Sequence, residues 1–221
     1  MSATSSSVPA TPPTIERCLV AECSIPIDLI LESADGKWFG AHTKNMETFN
    51  TAFPPTSSVT HDINDIVKLS ETSDVLALLL QFSHYQEHGD LCDKGLDLVL
   101  GLATAADKYG NFFAAMVVRE AINYYGRQSK YNAVRVIPYK AIHSDFKHMD
   151  EIVRSTMDLP LSTALHFMKP YPEVFYAYAL YREGRGNEWG SWRDGEGEFG
   201  WISYVKRAAN PPVDPDVYGN S

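Results

Sequence analysis

The chain has 221 residues, of which 44% are hydrophobic, enough for the core of one good-sized domain with a helical extension. A formal net charge of −9 and a sequence pI near 5.2 argue against general affinity for nucleic acid or anionic membranes. Without a run of signal-peptide or membrane-spanning character, we expect an intracellular protein of the cytoplasm, the nucleus or both, with no membrane partner.

The cysteines are Cys18, Cys23 and Cys92. Their number is odd and none of their spacings is that of a CxxC pair, so the pattern predicts neither a disulfide framework nor a zinc module. A reducing compartment is consistent with this usage.

Residues 1–24 begin with a Ser/Thr/Pro-rich stretch that has little to bury, and we predict that they are disordered. A hairpin follows. The apolar run 29–31 and the pair Trp38-Phe39 flank a turn that contains Asp35-Gly36, a dipeptide typical of two-residue hairpin turns. A hairpin alone is marginally stable, so we expect further elements to cover it.

A short helix is predicted after the hairpin, since Met46, Phe49 and Phe53 share one helical face before Pro54-Pro55 ends the pattern. The pattern then indicates a strand at residues 66–69. After the capping candidates of residues 70–74, apolar residues on most sides predict a buried helix that ends at Gly89-Asp90.

Helical periodicity continues through the rest of the chain. One predicted helix ends at Gly110-Asn111, and the next runs from residue 112 to a stop at Gly126. From there to residue 183 we expect three or four short helices, broken by Pro138 and two later Pro-containing segments. The tail is rich in Gly, Trp and acidic residues. We expect it either to dock its tryptophans on the helical part, which we favour, or to present them to a partner; they are Trp189, Trp192 and Trp201.

Several separated motifs occur in the order typical of one family. They are Asp28 at the first strand, Phe39-Gly40-Ala41-His42 at the helix entry, Phe49 and Phe53-Pro54 at the helix end, and residues 105–109. With these motifs the chain resembles a BTB/POZ domain, and its sequence looks most similar to the fungal stand-alone members of that family. The resemblance divides the chain into a disordered start (1–24), a BTB/POZ domain (25–126), a helical extension (127–183) and a tail (184–221).

The resemblance implies an α+β fold, a small mixed sheet covered by helices, and a non-enzymatic protein-interaction module. Such domains commonly form homodimers through the first helix and the segment before the hairpin, which implicates Asp28, Met46, Phe49 and Phe53 here. Some act as scaffolds or as substrate adaptors for cullin ubiquitin ligases. Others regulate transcription through a partner, but Thr43 stands where those members typically carry arginine, which weakens the case for their co-repressor groove.

One short pattern offers an enzymatic alternative. His84, Glu87 and His88 fit H-x-x-E-H, in which two histidines of one helix bind zinc and the glutamate acts as a base. The run lies at a helix end beside Gly89-Asp90, where supporting contacts would be few. We therefore predict no catalytic residue, no cofactor and no metal site, and we interpret His42 as a structural residue at the helix entry.

Overall fold

The computed structural model describes residues 18–53 and 66–186. Residues 1–17 of the predicted disordered segment, the loop 54–65, and residues 187–221 of the tail, with its tryptophans, lie outside these ranges. The chain divides into two compact units, and each is described by itself. Among the described residues, unit 1 comprises 18–53, 66–89 and 101–116, and unit 2 comprises 90–100 and 117–186.

Unit 1 contains the predicted hairpin. Strands β1 (Leu29–Glu32) and β2 (Trp38–Ala41) are antiparallel, and Gly36 in their turn has φ +76°. Strand β3 (Ile66–Lys68) pairs parallel to β1, which gives the sheet order β2-β1-β3. The predicted α+β class and the small mixed sheet are confirmed.

Helices α1 (Thr43–Phe49) and α2 (Ser73–Phe82) belong to the same unit. The prediction that α2 is buried is confirmed, since seven of its residues are buried. Its predicted end at Gly89 is wrong, because the helix stops at Phe82. The next residue, Ser83, donates its hydroxyl to Leu79 and accepts a hydrogen bond from buried Asn50, so a polar network begins where the helix ends.

Helices α3 (Leu96–Tyr109) and α4 (Phe112–Gln128) follow. Gly110 lies between them with φ +67°, as expected for a C-terminal cap. The predicted stop at Gly126 is wrong, because α4 continues through it. A Cβ at Gly126 would lie 2.9 Å from Val136 and from Ile152, so packing within unit 2 requires the glycine.

The remaining helices lie in unit 2 and number four among the described residues, within the predicted range: α5 (Lys130–Ile142), α6 (Met149–Arg154), α7 (Leu161–Met168) and α8 (Pro172–Gly186). Pro138 does not break the chain's helix but lies inside α5, buried between Ile137 and Tyr139. The burial of the surrounding side chains offsets the loss of the backbone hydrogen bond that proline cannot donate. No helix of the described residues is long and apolar enough to cross a membrane.

Candidate functional site

The residues that the resemblance implicates in self-association have different environments. Met46 is only 1% exposed and packs in the chain's own core, so it offers no surface to a partner. Phe49 is half-buried, and Phe53 is half-buried against the Tyr109 ring. Asp28 is exposed, and its Oδ1 accepts a hydrogen bond of 2.7 Å from the Thr43 amide at the start of α1.

Phe49 lines a cleft of about 620 Å³ on unit 1. One wall is formed by residues 20–25, which precede the hairpin, and the other by residues 84–87, which follow α2. Two apolar side chains that line the cleft are exposed to solvent: Ile25 is 46% exposed and Tyr85 is 99% exposed. Exposed apolar side chains grouped in a concave surface are typical of binding sites.

Two thiols and two imidazoles converge beside this cleft. The Sγ of Cys18 lies 3.2 Å from Nε2 of His84, and the Sγ of Cys23 lies 3.2 Å from Nε2 of His42. All four donor atoms lie within 4.8 Å of one another. The histidines are buried and the cysteines half-buried. We call these four side chains the Cys₂His₂ cluster, and they could together hold a metal ion.

Three parts of unit 1 supply the cluster. His42 lies between β2 and α1, so the hairpin sets its position. His84 follows the end of α2, and its ring meets that of His42 edge to face with centroids 5.2 Å apart. The cysteines lie in the non-helical segment before β1, where the Cys23 amide donates to the Val20 carbonyl in a tight turn.

Each imidazole is oriented by its other nitrogen. Nδ1 of His42 lies 2.8 Å from the Pro26 carbonyl oxygen, and Nδ1 of His84 lies 2.7 Å from that of Leu80. A carbonyl only accepts hydrogen bonds, so each Nδ1 must carry the proton and donate it. In the neutral form of each imidazole, Nε2 then presents a lone pair to the cluster.

Burial favours the neutral forms of His84 and Cys18. It lowers the pKa of His84, and the nearby His42 lowers it further. Burial also raises the pKa of the Cys18 thiol, with a contribution from Cys23. In the absence of a cation, the neutral imidazole of His84 and the neutral thiol of Cys18 are therefore favoured.

The H-x-x-E-H residues do not form the arrangement that the pattern predicts. All three follow the end of α2, so the two histidines are not one helical turn apart. His88 stacks on the Phe82 ring, with centroids 4.3 Å apart, and Glu87 is exposed. The structure thus places His84 with the two cysteines and His42 rather than with His88.

Sequence reasoning missed the Cys₂His₂ cluster. Cys18 and Cys23 are five positions apart, and His42 and His84 follow at long intervals, so no short spacing pattern reveals the set. Only the fold brings the four side chains together. His42 was correctly placed at the entry of α1, where it is 1% exposed and hydrogen-bonded to the backbone.

Comparison with known proteins adds no family to this description, because no family model, curated protein or solved structure matches the chain significantly.

Proposed function

We propose that the chain is a non-enzymatic protein-interaction module that self-associates and serves as a scaffold or adaptor inside the cell. The observation that carries this proposal is the cleft on unit 1. The segment before the hairpin and the first helix, the two regions implicated in self-association by the resemblance to BTB/POZ domains, line this one surface through residues 20–25 and Phe49.

The strand arrangement supports a BTB/POZ fold for unit 1. A hairpin leads into a helix, and the next strand returns parallel to the first strand of the hairpin. The buried helix α2 then follows, in the order that the sequence motifs imply. A fold by itself does not establish function, so the proposal depends on the surface described above.

The composition of the cleft supports a protein partner rather than a small substrate. Tyr85 and Ile25 present apolar surface beside the acidic side chains of Glu22 and Glu87. Aromatic residues with a charged margin are typical of interface centres and their rims. A second copy of the chain is the occupant we propose.

Molar mass in solution tests the proposal. Light scattering on the full chain across a concentration series should show a dimer that dissociates on dilution. Tyr85→Arg and Phe49→Glu should each raise the dissociation constant about tenfold or more, because they place charge in the apolar contact. Phe112→Glu is the matched control, since Phe112 is 74% exposed in unit 1 but does not line the cleft.

Two results would contradict the proposal. One is a wild-type chain that stays monomeric at high micromolar concentration. The other is a dimer that Tyr85→Arg leaves intact. Tyr85 is almost fully exposed, so its substitution should leave the fold unchanged and the second result would be unambiguous.

The adaptor role extends this proposal to a second protein. A cullin is one such partner that the resemblance implies, and the loop in which its contacts would be sought lies outside the described residues. Transcriptional regulation through a partner is the alternative role. Capture with the wild-type chain and the Tyr85→Arg variant in parallel would show whether a partner requires the dimer.

A further inference from the structure

We propose that Cys18, Cys23, His42 and His84 bind one Zn²⁺ ion in a closed structural site. The ion would fix the segment before the hairpin to the body of unit 1. This inference does not depend on the proposed self-association, because it concerns groups inside one chain.

The donor set is one that zinc prefers. Two thiolates and two neutral imidazoles form the Cys₂His₂ combination found in structural zinc sites. A tetrahedral set of two sulfur and two nitrogen ligands is typical of zinc among the common biological metals. Calcium and magnesium prefer oxygen ligands, and the cluster contains none.

The distances are close to those of a tetrahedral site. With Zn–S bonds of about 2.3 Å and Zn–N bonds of about 2.0 Å, neighbouring donor atoms lie roughly 3.3–3.8 Å apart. Within each thiol–imidazole pair, Sγ and Nε2 are 3.2 Å apart. All other distances between the four donor atoms are at most 4.8 Å. Small rotations of the cysteine side chains would therefore complete the tetrahedron.

The surrounding hydrogen bonds match those of bound ligands. Each histidine donates Nδ1–H to a backbone carbonyl, which fixes the tautomer and directs Nε2 inward. The Val20 amide donates to the Sγ of Cys18 over 3.4 Å, and such a bond stabilises a thiolate. Three of the four ligands thus have an orienting partner.

Pairwise hydrogen bonds do not by themselves account for the convergence. A thiol donating to Nε2 would satisfy Cys18 with His84 and Cys23 with His42 separately. The edge-to-face contact of the two rings brings the pairs near each other, but it does not require all four donor atoms to lie within 4.8 Å of one another. One cation contacting all four atoms accounts for that arrangement. Binding displaces the two thiol protons to solvent and leaves both imidazoles neutral, so the site has no net charge.

The site would be structural rather than catalytic. Four protein ligands fill a tetrahedral shell and leave no position for water or substrate. The ligands come from positions as distant as 18 and 84, while residues 18–27 form no helix or strand. Zinc would therefore join this segment to the entry of α1 and to the residues that follow α2.

The first test is metal content. The full chain, purified without a histidine tag, should contain about one zinc ion per chain by plasma mass spectrometry. After zinc removal, added Co²⁺ should give the visible bands of tetrahedral cobalt and a near-ultraviolet thiolate-to-cobalt charge-transfer band. The cobalt spectrum is recorded on the wild-type chain, so it stays informative if ligand variants fail to fold.

Matched variants locate the ion. Cys18→Ser with Cys23→Ser, and separately His84→Asn, should lose the zinc and the charge-transfer band. Cys92→Ser and His88→Asn should keep both, because neither side chain belongs to the cluster. These controls also separate the proposal from the H-x-x-E-H alternative, which requires His88 and neither cysteine.

Two outcomes would overturn the inference. One is a folded wild-type chain that contains no zinc and gives no charge-transfer band with Co²⁺, which would leave two S–H···N hydrogen bonds in place of a metal site. The other is zinc that survives the double cysteine substitution but disappears in His88→Asn.

Discussion

Lys140 is the most unusual residue of unit 2, because its side chain has no exposed surface. Its Nζ donates to Oδ1 of Asn123 at 2.6 Å and to Oδ2 of Asp145 at 2.7 Å. Burial lowers the pKa of Lys140, although the bond to Asp145 opposes that shift. The loop that carries Asp145 includes two left-handed non-glycine residues, Ser144 and His148. The backbone is thus strained in the loop that supplies Asp145, the counter-charge of Lys140.

Replacement of Lys140 by methionine should therefore destabilise the protein by about 3 kcal/mol or more, because it leaves the Asp145 carboxylate mostly buried without its cation. Urea unfolding followed by circular dichroism measures the change. Lys147→Met is the control. Lys147 and its partner Glu120 are both more than half exposed, so that loss should stay below about 1 kcal/mol. Equal losses in the two variants would contradict this account.

Two carboxylates of the hairpin in unit 1 cap the N-termini of α1 and α2 in place of the helices' own N-cap residues. Neither α1 nor α2 has a side-chain hydrogen bond from its own N-cap residue. Asp28 instead accepts from the first amide of α1, and Asp35 accepts from both the amide and the hydroxyl of Ser73, each over 2.7 Å. The carboxylates at the start and turn of one hairpin thus orient both helices.

The Asp35 contact predicts a dependence of stability on pH. Hydrogen bonds from the Ser73 side chain, with smaller ones from Ser33 and the Ser73 amide, lower the pKa of Asp35 from 3.8 to about 2. A lowered pKa in the folded state stabilises the protein above the ordinary pKa, and this contribution is lost as the pH falls from about 4 towards 2. Asp35→Asn, which suits the turn, should lower the Tm at pH 6, and the difference from wild type should shrink below pH 4.

Thermal unfolding across this pH range measures the difference. Asp93→Asn serves as the control, since the Asp93 side chain is 71% exposed and forms a surface ion pair with Lys94. A difference between Asp35→Asn and wild type that stays constant down to pH 2 would show that the carboxylate charge is not responsible.

The passage of α4 through Gly126 yields a packing prediction. Alanine would favour a helix by up to about 1 kcal/mol, but its Cβ would meet Ile152 and Val136 at 2.9 Å. Overpacking usually costs about 1–3 kcal/mol, so Gly126→Ala should be net destabilising by chemical unfolding. Gly89→Ala, where a Cβ would meet no atom within 4 Å, should change stability by less than about 0.5 kcal/mol. A stabilising Gly126→Ala would refute the packing argument.

At the scale of the whole molecule, features encoded by neighbouring residues were predictable. The Asp35-Gly36 turn, the apolar faces of α2 and α3, and the glycine cap at Gly110 depend on local conformation and periodicity. These signals were sufficient for the α+β class, for the hairpin, and for the four helices of residues 130–186.

Features that depend on distant residues were not predictable. The local pattern predicts a helix end at Gly126, because the side chains of Val136 and Ile152, which require the glycine, are remote in sequence. It predicts a break at Pro138, because the burial around this proline is not visible locally. The Cys₂His₂ cluster could not be predicted for the same reason, since its members converge only after the hairpin and α2 have formed.

The division into two units has a consequence for how such a gene can change. Residues 90–100 belong to unit 2, although residues 101–116, which come later, belong to unit 1. Since the two units interleave along the chain, no single breakpoint separates them. Recombination or exon exchange at one junction would always split a unit, so the two units should be inherited together rather than shuffled as separate cassettes.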